Sequence, residues 1–432
     1  MASTYLTRAM NGNSEYTGTI SLWIKRASLG QNVICSFWED SSTYQRLQFD
    51  SSDRLNWKIY DNNNLYGEVT STRVFRDTNA WYHIVSRVDT TQSTASDRVR
   101  LYVNGNLITN LDTTNYPTQN RNVKQSAVPY IGTEGTITSA RFDGCMSHIH
   151  YTDATSNAPT VFGETDATTG EWKIKTNVST TYGAKGFFIL KDGNSGTDHS
   201  GNSNNFTASG NLTNTEDCPS NVFPTINRLA RCVYSSLGSL TDGNTTAQTV
   251  ASGHWGSYIP TIGASSGKYY MEAKHISGSD VSVGIWDMDD TGINQSTSWY
   301  AGQHSTDVAY QNNGDYYVNG SNTSAWNTFT SGDIIGIAMD LDNRKAYFHK
   351  NGVYQGSGNP TAGTGGLTIP ADLTMGFGVC AYNGAKMSAN YGNGYFGTTA
   401  ISSEGTNASG IGKFEYDVPT GYTALSTKGL NE

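Results

Sequence analysis

Two stretches of this chain write the same phrase. Arg98-Val99-Arg100-Leu101-Tyr102-Val103-Asn104-Gly105 and Arg344-Lys345-Ala346-Tyr347-Phe348-His349-Lys350-Asn351-Gly352 both alternate in period two and close on Asn-Gly. Period two belongs to a strand with two unlike faces, and Asn-Gly enters positive φ at low cost. Each phrase therefore predicts a tight type I′ hairpin. Each also follows an apolar strand ending on aspartate, Trp81 to Asp89 in the first case and Ile334 to Asp340 in the second. Two copies so far apart predict two β domains that each display a surface. Nothing in the phrase calls for catalysis.

The rest of the chain agrees with an all-β fold. Its 432 residues leave room for two or three domains with cores of their own. Gly 47 and Tyr 26 against Pro 9 fit turn-rich antiparallel sheet. Helical periodicity is nearly absent. Thr19 to Lys25 puts Ile20, Leu22 and Ile24 on one face and Trp23 on the other; Leu47 to Asp50 and Leu55 to Tyr60 alternate likewise. Strands at this spacing, punctuated by turn residues, predict β-sandwiches. Residues 157–228 read differently, because the run from Asp192 to Asn205 is too polar to pack. The expected order is a sandwich over 1–156, a loop-rich connecting segment over 157–228 that lies against one or both sandwiches, a second sandwich over 229–398 and an extension over 399–432.

Several function classes are disfavoured. A net charge of −9 with no basic stripe argues against nucleic acid. The five cysteines are odd in number, widely spaced and without a CxxC pair, so neither a zinc site nor a disulfide framework is expected. The start, Met1 to Tyr5, lacks the basic and apolar regions of a signal peptide, and no apolar run reaches membrane-span length. Glu164-Thr165-Asp166 comes nearest to a glycosidase carboxylate string, but Thr169 stands where the second glutamate would be. Asp287-Met288-Asp289-Asp290 and Asp192-Gly193-Asn194 are candidate calcium ligands, yet such clusters are more often turn chemistry. His148 and His150 alternate on one strand without an evident third ligand. No cofactor and no metal are expected, with a structural calcium left open.

Binding, by contrast, has candidates. Sugar rings present C–H faces that stack on Trp and Tyr, while neighbouring polar groups bond the hydroxyls. In the first domain Trp38, Tyr44, Trp57 and Tyr60 fall on or beside strands. In the second Trp286, Trp299, Tyr300, Tyr316, Tyr317 and Trp326 fall near turns. The selected ligand-binding set is Trp286, Asp287, Trp299, Tyr300, Tyr316, Trp38, Trp57 and Tyr60. Trp23 and Trp81 are expected in the core.

These residues also carry a resemblance. Ser21-Leu22-Trp23-Ile24-Lys25-Arg26, Trp81-Tyr82-His83-Ile84-Val85 and Leu101-Tyr102-Val103-Asn104-Gly105 resemble a laminin G-like domain. Ser266-Gly267-Lys268-Tyr269-Tyr270-Met271-Glu272, Val283-Gly284-Ile285 and the run Gly332 to Gln355 resemble a SPRY domain. Both resemblances imply concanavalin A-like jelly rolls. The flanking motifs Phe162 to Trp172, Asp198 to Thr207, Asp217-Cys218-Pro219-Ser220-Asn221 and Val418 to Thr427 look like junctions of marine tailed-phage structural proteins.

The resemblance implies a non-enzymatic virion surface protein, fibre- or spike-like, made in the host cytoplasm. It would bind host-surface glycan or envelope protein and touch other virion proteins. A capsid decoration or tail adaptor without a ligand of its own, and a polysaccharide depolymerase, are the alternatives. Position on the particle and homo-oligomerisation stay open.

Overall fold

The computed structural model describes residues 4–10, 15–124, 127–135, 139–191, 195–233, 238–289 and 300–431, the side chains of 231–233 excepted. The chain is all-β and divides into two compact units, Met1–Asn214 and Thr215–Glu432.

In the first unit an eight-stranded sheet runs in the order Leu111–Asn115, Asn64–Val74, Arg54–Asp61, Thr43–Phe49, Asn32–Asp40, Val128–Ile131, Tyr5–Thr7, Thr207–Ser209. A six-stranded sheet runs Phe187–Ile189, Gly144–Asp153, Thr17–Arg26, Trp81–Asp89, Val99–Val103, Asn106–Leu107. Alternation decides what lies between them. Ile20, Leu22 and Ile24 join Phe37, Leu47, Phe49, Leu55, Trp57, Ile59 and Ile84 in one core. Burying each such side chain contributes roughly 1.5–3 kcal/mol.

The second unit repeats the plan. One sheet has the order Ile226–Val233, Trp255–Pro260, Met375–Tyr382, Val281–Asp287, Val308–Gln311, Asp315–Val318, Ser321–Ser324. The other is built on Lys268–Ser277, Ile334–Asp340, Lys345–Lys350 and Lys386–Asn390, with Thr423–Ala424 added in parallel to Lys268–Ser277. Val283, Ile285, Ile335, Ile337, Met339, Phe348, Phe377 and Val379 fill the space between.

Both repeated phrases form the expected hairpins. Asn104 and Gly105 have φ of 48° and 78°; Asn351 and Gly352 have 48° and 82°. Each asparagine also bonds back to the preceding strand in the same way. The His83 N–H donates to Asn104 Oδ1 at 2.8 Å, and the Asn104 N–H donates to the His83 carbonyl at 2.9 Å. In the second copy Ile334 takes the place of His83, with both distances 2.8 Å.

The expected connecting segment is divided between the units. Residues 157–214 belong to the first, where Phe187–Ile189 and Thr207–Ser209 each add a strand to a sheet. The polar run around Asp198 is a hydrogen-bonded knot rather than an open loop. The Asp198 carboxylate accepts from the N–H groups of Phe188, Ser200 and Asn204 and from the Ser200 hydroxyl. Residues 215–228 belong to the second unit, as does 399–432. There the Val222 N–H donates to Thr427 Oγ1 at 2.9 Å, the Thr427 N–H to the Val222 carbonyl, and the Lys428 N–H to Asn221 Oδ1. Two motifs that flank the second sandwich in sequence thus clasp each other.

Candidate ligand-binding face

In each unit the sheet carrying the Asn-Gly hairpin is covered on its outer side by chain that follows the sandwich. Over the six-stranded sheet Trp172 lies on His83, with ring centroids 5.9 Å apart, and His83 lies on Trp23 at 4.8 Å. Phe188 stacks on His150 at 3.9 Å, and His150 Nδ1 meets the Tyr182 hydroxyl at 2.8 Å. Trp172 Nε1–H donates to His83 Nδ1 at 2.9 Å, so the neutral ring carries its proton on Nε2, which faces Ser21 Oγ at 2.8 Å. Burial lowers His83 to about 3 and also lowers His150 well below the usual imidazole value. The two imidazoles are uncharged packing groups at neutral pH.

The matching cover in the second unit is the segment bearing Ile411, Phe414, Val418 and Tyr422, which packs on Tyr270, Ala338 and Tyr347. At its centre the Gly352 N–H donates to His349 Nδ1 at 3.0 Å. His349 Nε2–H then faces Tyr270 Oη at 2.6 Å, and the Tyr270 hydroxyl donates to Glu272 Oε1 at 3.1 Å. Glu272 further accepts from the Glu415 and Tyr416 N–H groups, both at 2.8 Å. Burial pushes the Glu272 carboxyl up to about 7 against the pull of these donors, and lowers His349 to about 3. Glu272 and His349 are sealed from solvent. The constellation looks like catalytic machinery but anchors the cover.

The outer face of the eight-stranded sheet differs. Register makes Trp38 the cross-strand neighbour of Tyr44, and Tyr44 that of Tyr60. The rings form an offset ladder, with centroids 5.6 Å and 5.1 Å apart and planes inclined by 19° and 30°. All three rings are half-buried. Burial pushes the Tyr44 phenol up to about 12, so its hydroxyl remains a donor at physiological pH. A second row follows on the same face, Tyr130, Ser36, Arg46, Lys58 and Glu68, each paired in register with the next. Arg46 is bridged to Glu134, and Lys58 to Glu68 at 3.0 Å. A third row, Gln48, Asn56 and Thr70, is buried and mutually hydrogen-bonded, which confines contact to the first two.

The selected residues therefore divide. Trp38 and Tyr60 come together through Tyr44. Trp57 alternates inward with Leu55 and Ile59 and is fully buried in the core, so it offers no ring to a ligand. Trp286 is likewise buried, covered by Ile259, Ala301, Tyr317 and Cys380. Asp287 is buried and accepts the Asp289 N–H at 3.0 Å, which is turn chemistry. Tyr300 packs with Trp255 and Tyr317, whereas Tyr316 packs on Trp326 at 4.6 Å; they join different clusters. Trp299, Asp290 and Asp192-Gly193-Asn194 lie outside the described residues. Among the described residues no group of three metal-ligating side chains converges. Arg46 and Glu134 escaped the sequence reading because 88 residues separate them.

Residues 2–162 match the profile of the Laminin_G_3 family, the Concanavalin A-like lectin/glucanases superfamily. The first sandwich is a laminin G-like domain. No curated protein matches the chain. Among solved structures, the SPRY domain of human HERC1 is similar at 17% identity, over 38% of this chain and 96% of that one, with a TM-score of 0.30. A second human SPRY domain has 18% identity over 34% of this chain and 90% of its own, with a TM-score of 0.27. The native heptameric SAP-like pentraxin from Limulus polyphemus has 16% identity over 36% and 72%, with a TM-score of 0.29. Scores this low carry no weight for ligand, partner or source.

Proposed function

We propose that this chain is a non-enzymatic surface protein of a phage virion, fibre- or spike-like, whose laminin G-like domain attaches to host-surface glycan through Trp38, Tyr44 and Tyr60. The ladder carries the reading. It sets three half-buried aromatic rings in one row beside a row of hydrogen-bonding groups on the outer face of the eight-stranded sheet. Aromatic and charged rows side by side suit a polyhydroxylated ligand better than a dry protein contact. The virion placement rests on the junction-like motifs of the sequence. Many copies on one particle would turn weak single sites into useful attachment.

The test is binding of the full chain to an array of bacterial surface polysaccharides, with a Trp38→Ala/Tyr44→Ala double variant alongside. Retention by at least one polymer is expected, with a loss of about tenfold or more in the variant, read at a temperature where parent and variant are both folded. A chain that binds no surface polysaccharide, or a variant that binds as well as the parent, would sink the reading. Release of reducing ends from a bound polymer would instead make it a depolymerase.

A further inference from the structure

We infer that Asn319-Gly320, in the second unit, is a site of spontaneous covalent modification, where the folded chain leaves both reacting groups free to close into a succinimide. The chemistry needs only water. The deprotonated Gly320 nitrogen attacks Asn319 Cγ, a C–N bond forms, and the side-chain amide leaves as ammonia with a proton from solvent. Water then opens the ring at either carbonyl, leaving aspartate or isoaspartate. Glycine is the least hindered residue to supply the attacking nitrogen, because it has no Cβ. The site is independent of the aromatic ladder.

Seven Asn-Gly pairs occur in the chain, and all but Asn11-Gly12 are described. Five of them are tied down. Asn104 Oδ1 accepts the His83 N–H, and Gly105 lies under Trp172. Asn351 Oδ1 accepts the Ile334 N–H, while His349 Nδ1 holds the Gly352 N–H at 3.0 Å. Asn313 accepts the Asp315 N–H and donates to its carboxylate, both at 3.0 Å, and the Gly314 N–H is held by the Gln311 carbonyl. Asn383 Oδ1 accepts the Gly253 N–H at 2.9 Å, with the Gly384 N–H on Thr249 Oγ1 at 3.0 Å. Asn393 is buried and accepts the Tyr391 N–H, and Asn390 Oδ1 holds the Gly394 N–H. At each of these pairs a hydrogen bond must break before the ring closes.

Asn319 stands apart. It is exposed, and among the described residues neither its amide nor the Gly320 N–H has a hydrogen-bond partner. The pair forms the turn between Asp315–Val318 and Ser321–Ser324, with φ of 52° and 73°. Ser321–Ser324 is the outermost strand of its sheet and all its side chains are exposed, so this end of the hairpin loosens at low cost. The product matters to the fold. Isoaspartate routes the chain through the side chain and adds a backbone carbon to a two-residue turn. Val318 and Ser321 then lose their register, and with it Asp315 loses its bonds from Ser324 and Asn322.

The experiment ages the full chain in mildly alkaline buffer, with and without urea, and quantifies aspartate and isoaspartate at each pair by peptide mapping. In the folded chain Asn319 should convert about fivefold or more faster than any of the other five described asparagines, which react only after local opening. In urea the six should converge, because each has the same glycine neighbour. Native conversion at Asn313 or Asn383 as fast as at Asn319 would overturn the inference, as would a ranking that urea leaves unchanged. The isoaspartyl fraction should also exchange its amide hydrogens faster across residues 315–324, whereas Asn319→Asp, with an ordinary backbone, should match the parent. Equal protection in the isoaspartyl form and the parent would overturn the effect on the hairpin.

Discussion

The two Asn-Gly hairpins share a backbone and differ in what seals them. In the first, Gly105 lies under Trp172, which reaches across to the neutral His83. In the second, Gly352 lies under Tyr416, and its N–H orients His349, which reaches Glu272 through Tyr270. A Cβ on either glycine would stand 2.6 Å from Trp172 or 2.9 Å from Tyr416, so both hairpins are shaped for a covering ring as well as for their turn. The first seal uses aromatic packing and neutral hydrogen bonds. The second adds a buried carboxyl. The same turn can therefore be locked by two chemistries that respond differently to mutation and to pH.

Removing the carboxyl separates the two most sharply. Glu272→Ala strips the acceptor from the Glu415 and Tyr416 N–H groups and from the Tyr270 hydroxyl, and should cost the second unit about 3–5 kcal/mol. Hydrogen exchange of the full chain, read by mass spectrometry, should accelerate across residues 405–418 and leave the first unit unaffected. Equal protection in variant and parent would show that apolar packing alone holds the cover.

Trp172→Ala should come next, at about 2–3 kcal/mol, because the ring is half-exposed and loses only part of its burial. With the cover opened, the His83 imidazole should titrate closer to its ordinary value of 6.5, which NMR of the ring protons would follow. An unchanged His83 titration would mean that the sheet, not Trp172, keeps the ring dry.

The smallest effect is the difference in pH response. His83 and His150 are lowered on folding, so their contribution is complete above 6.5 and is lost as pH falls toward their folded values. In the second unit His349 and His275 act in the same direction. Glu272 opposes them: raised from 4.5 to about 7, it contributes fully below 4.5 and its contribution is lost as pH rises through 7. The lowered aspartates, among them Asp53 and Asp340, act below 3.8, outside this window. Between 6.5 and 4.5, acidification should therefore weaken the first unit more steeply than the second. Glu272→Gln should bring the slopes together, as exchange protection measured at both ends of the range would reveal.

The aromatic candidates were legible as residues but not as a site. Trp38, Tyr44 and Tyr60 stand out within their own strands, yet Trp57 stands out as much and is buried. Period two assigns faces within one strand, and the apolar neighbours Leu55 and Ile59 mark Trp57 as inward. Trp286 is harder to read. It points away from Val283 and Ile285 and is buried because Ala301 and Tyr317, from later in the chain, fold over it. The histidines follow the same logic, since His83 is lowered by a cover that begins dozens of residues downstream.

What the sequence determined by itself was local and periodic: the two hairpins, the all-β fold, the inward set of Ile20, Leu22 and Ile24, and the laminin G-like character of the first domain. The tertiary structure alone decided which outward side chains were covered, His83 beneath Trp172 and His349 beside Tyr416 among them. It also decided that three rings on three strands fall into one row, and that Arg46 finds Glu134. The reason is physical. Alternation is set by each strand's own backbone, whereas register and coverage depend on strands and segments that meet only once the chain has folded.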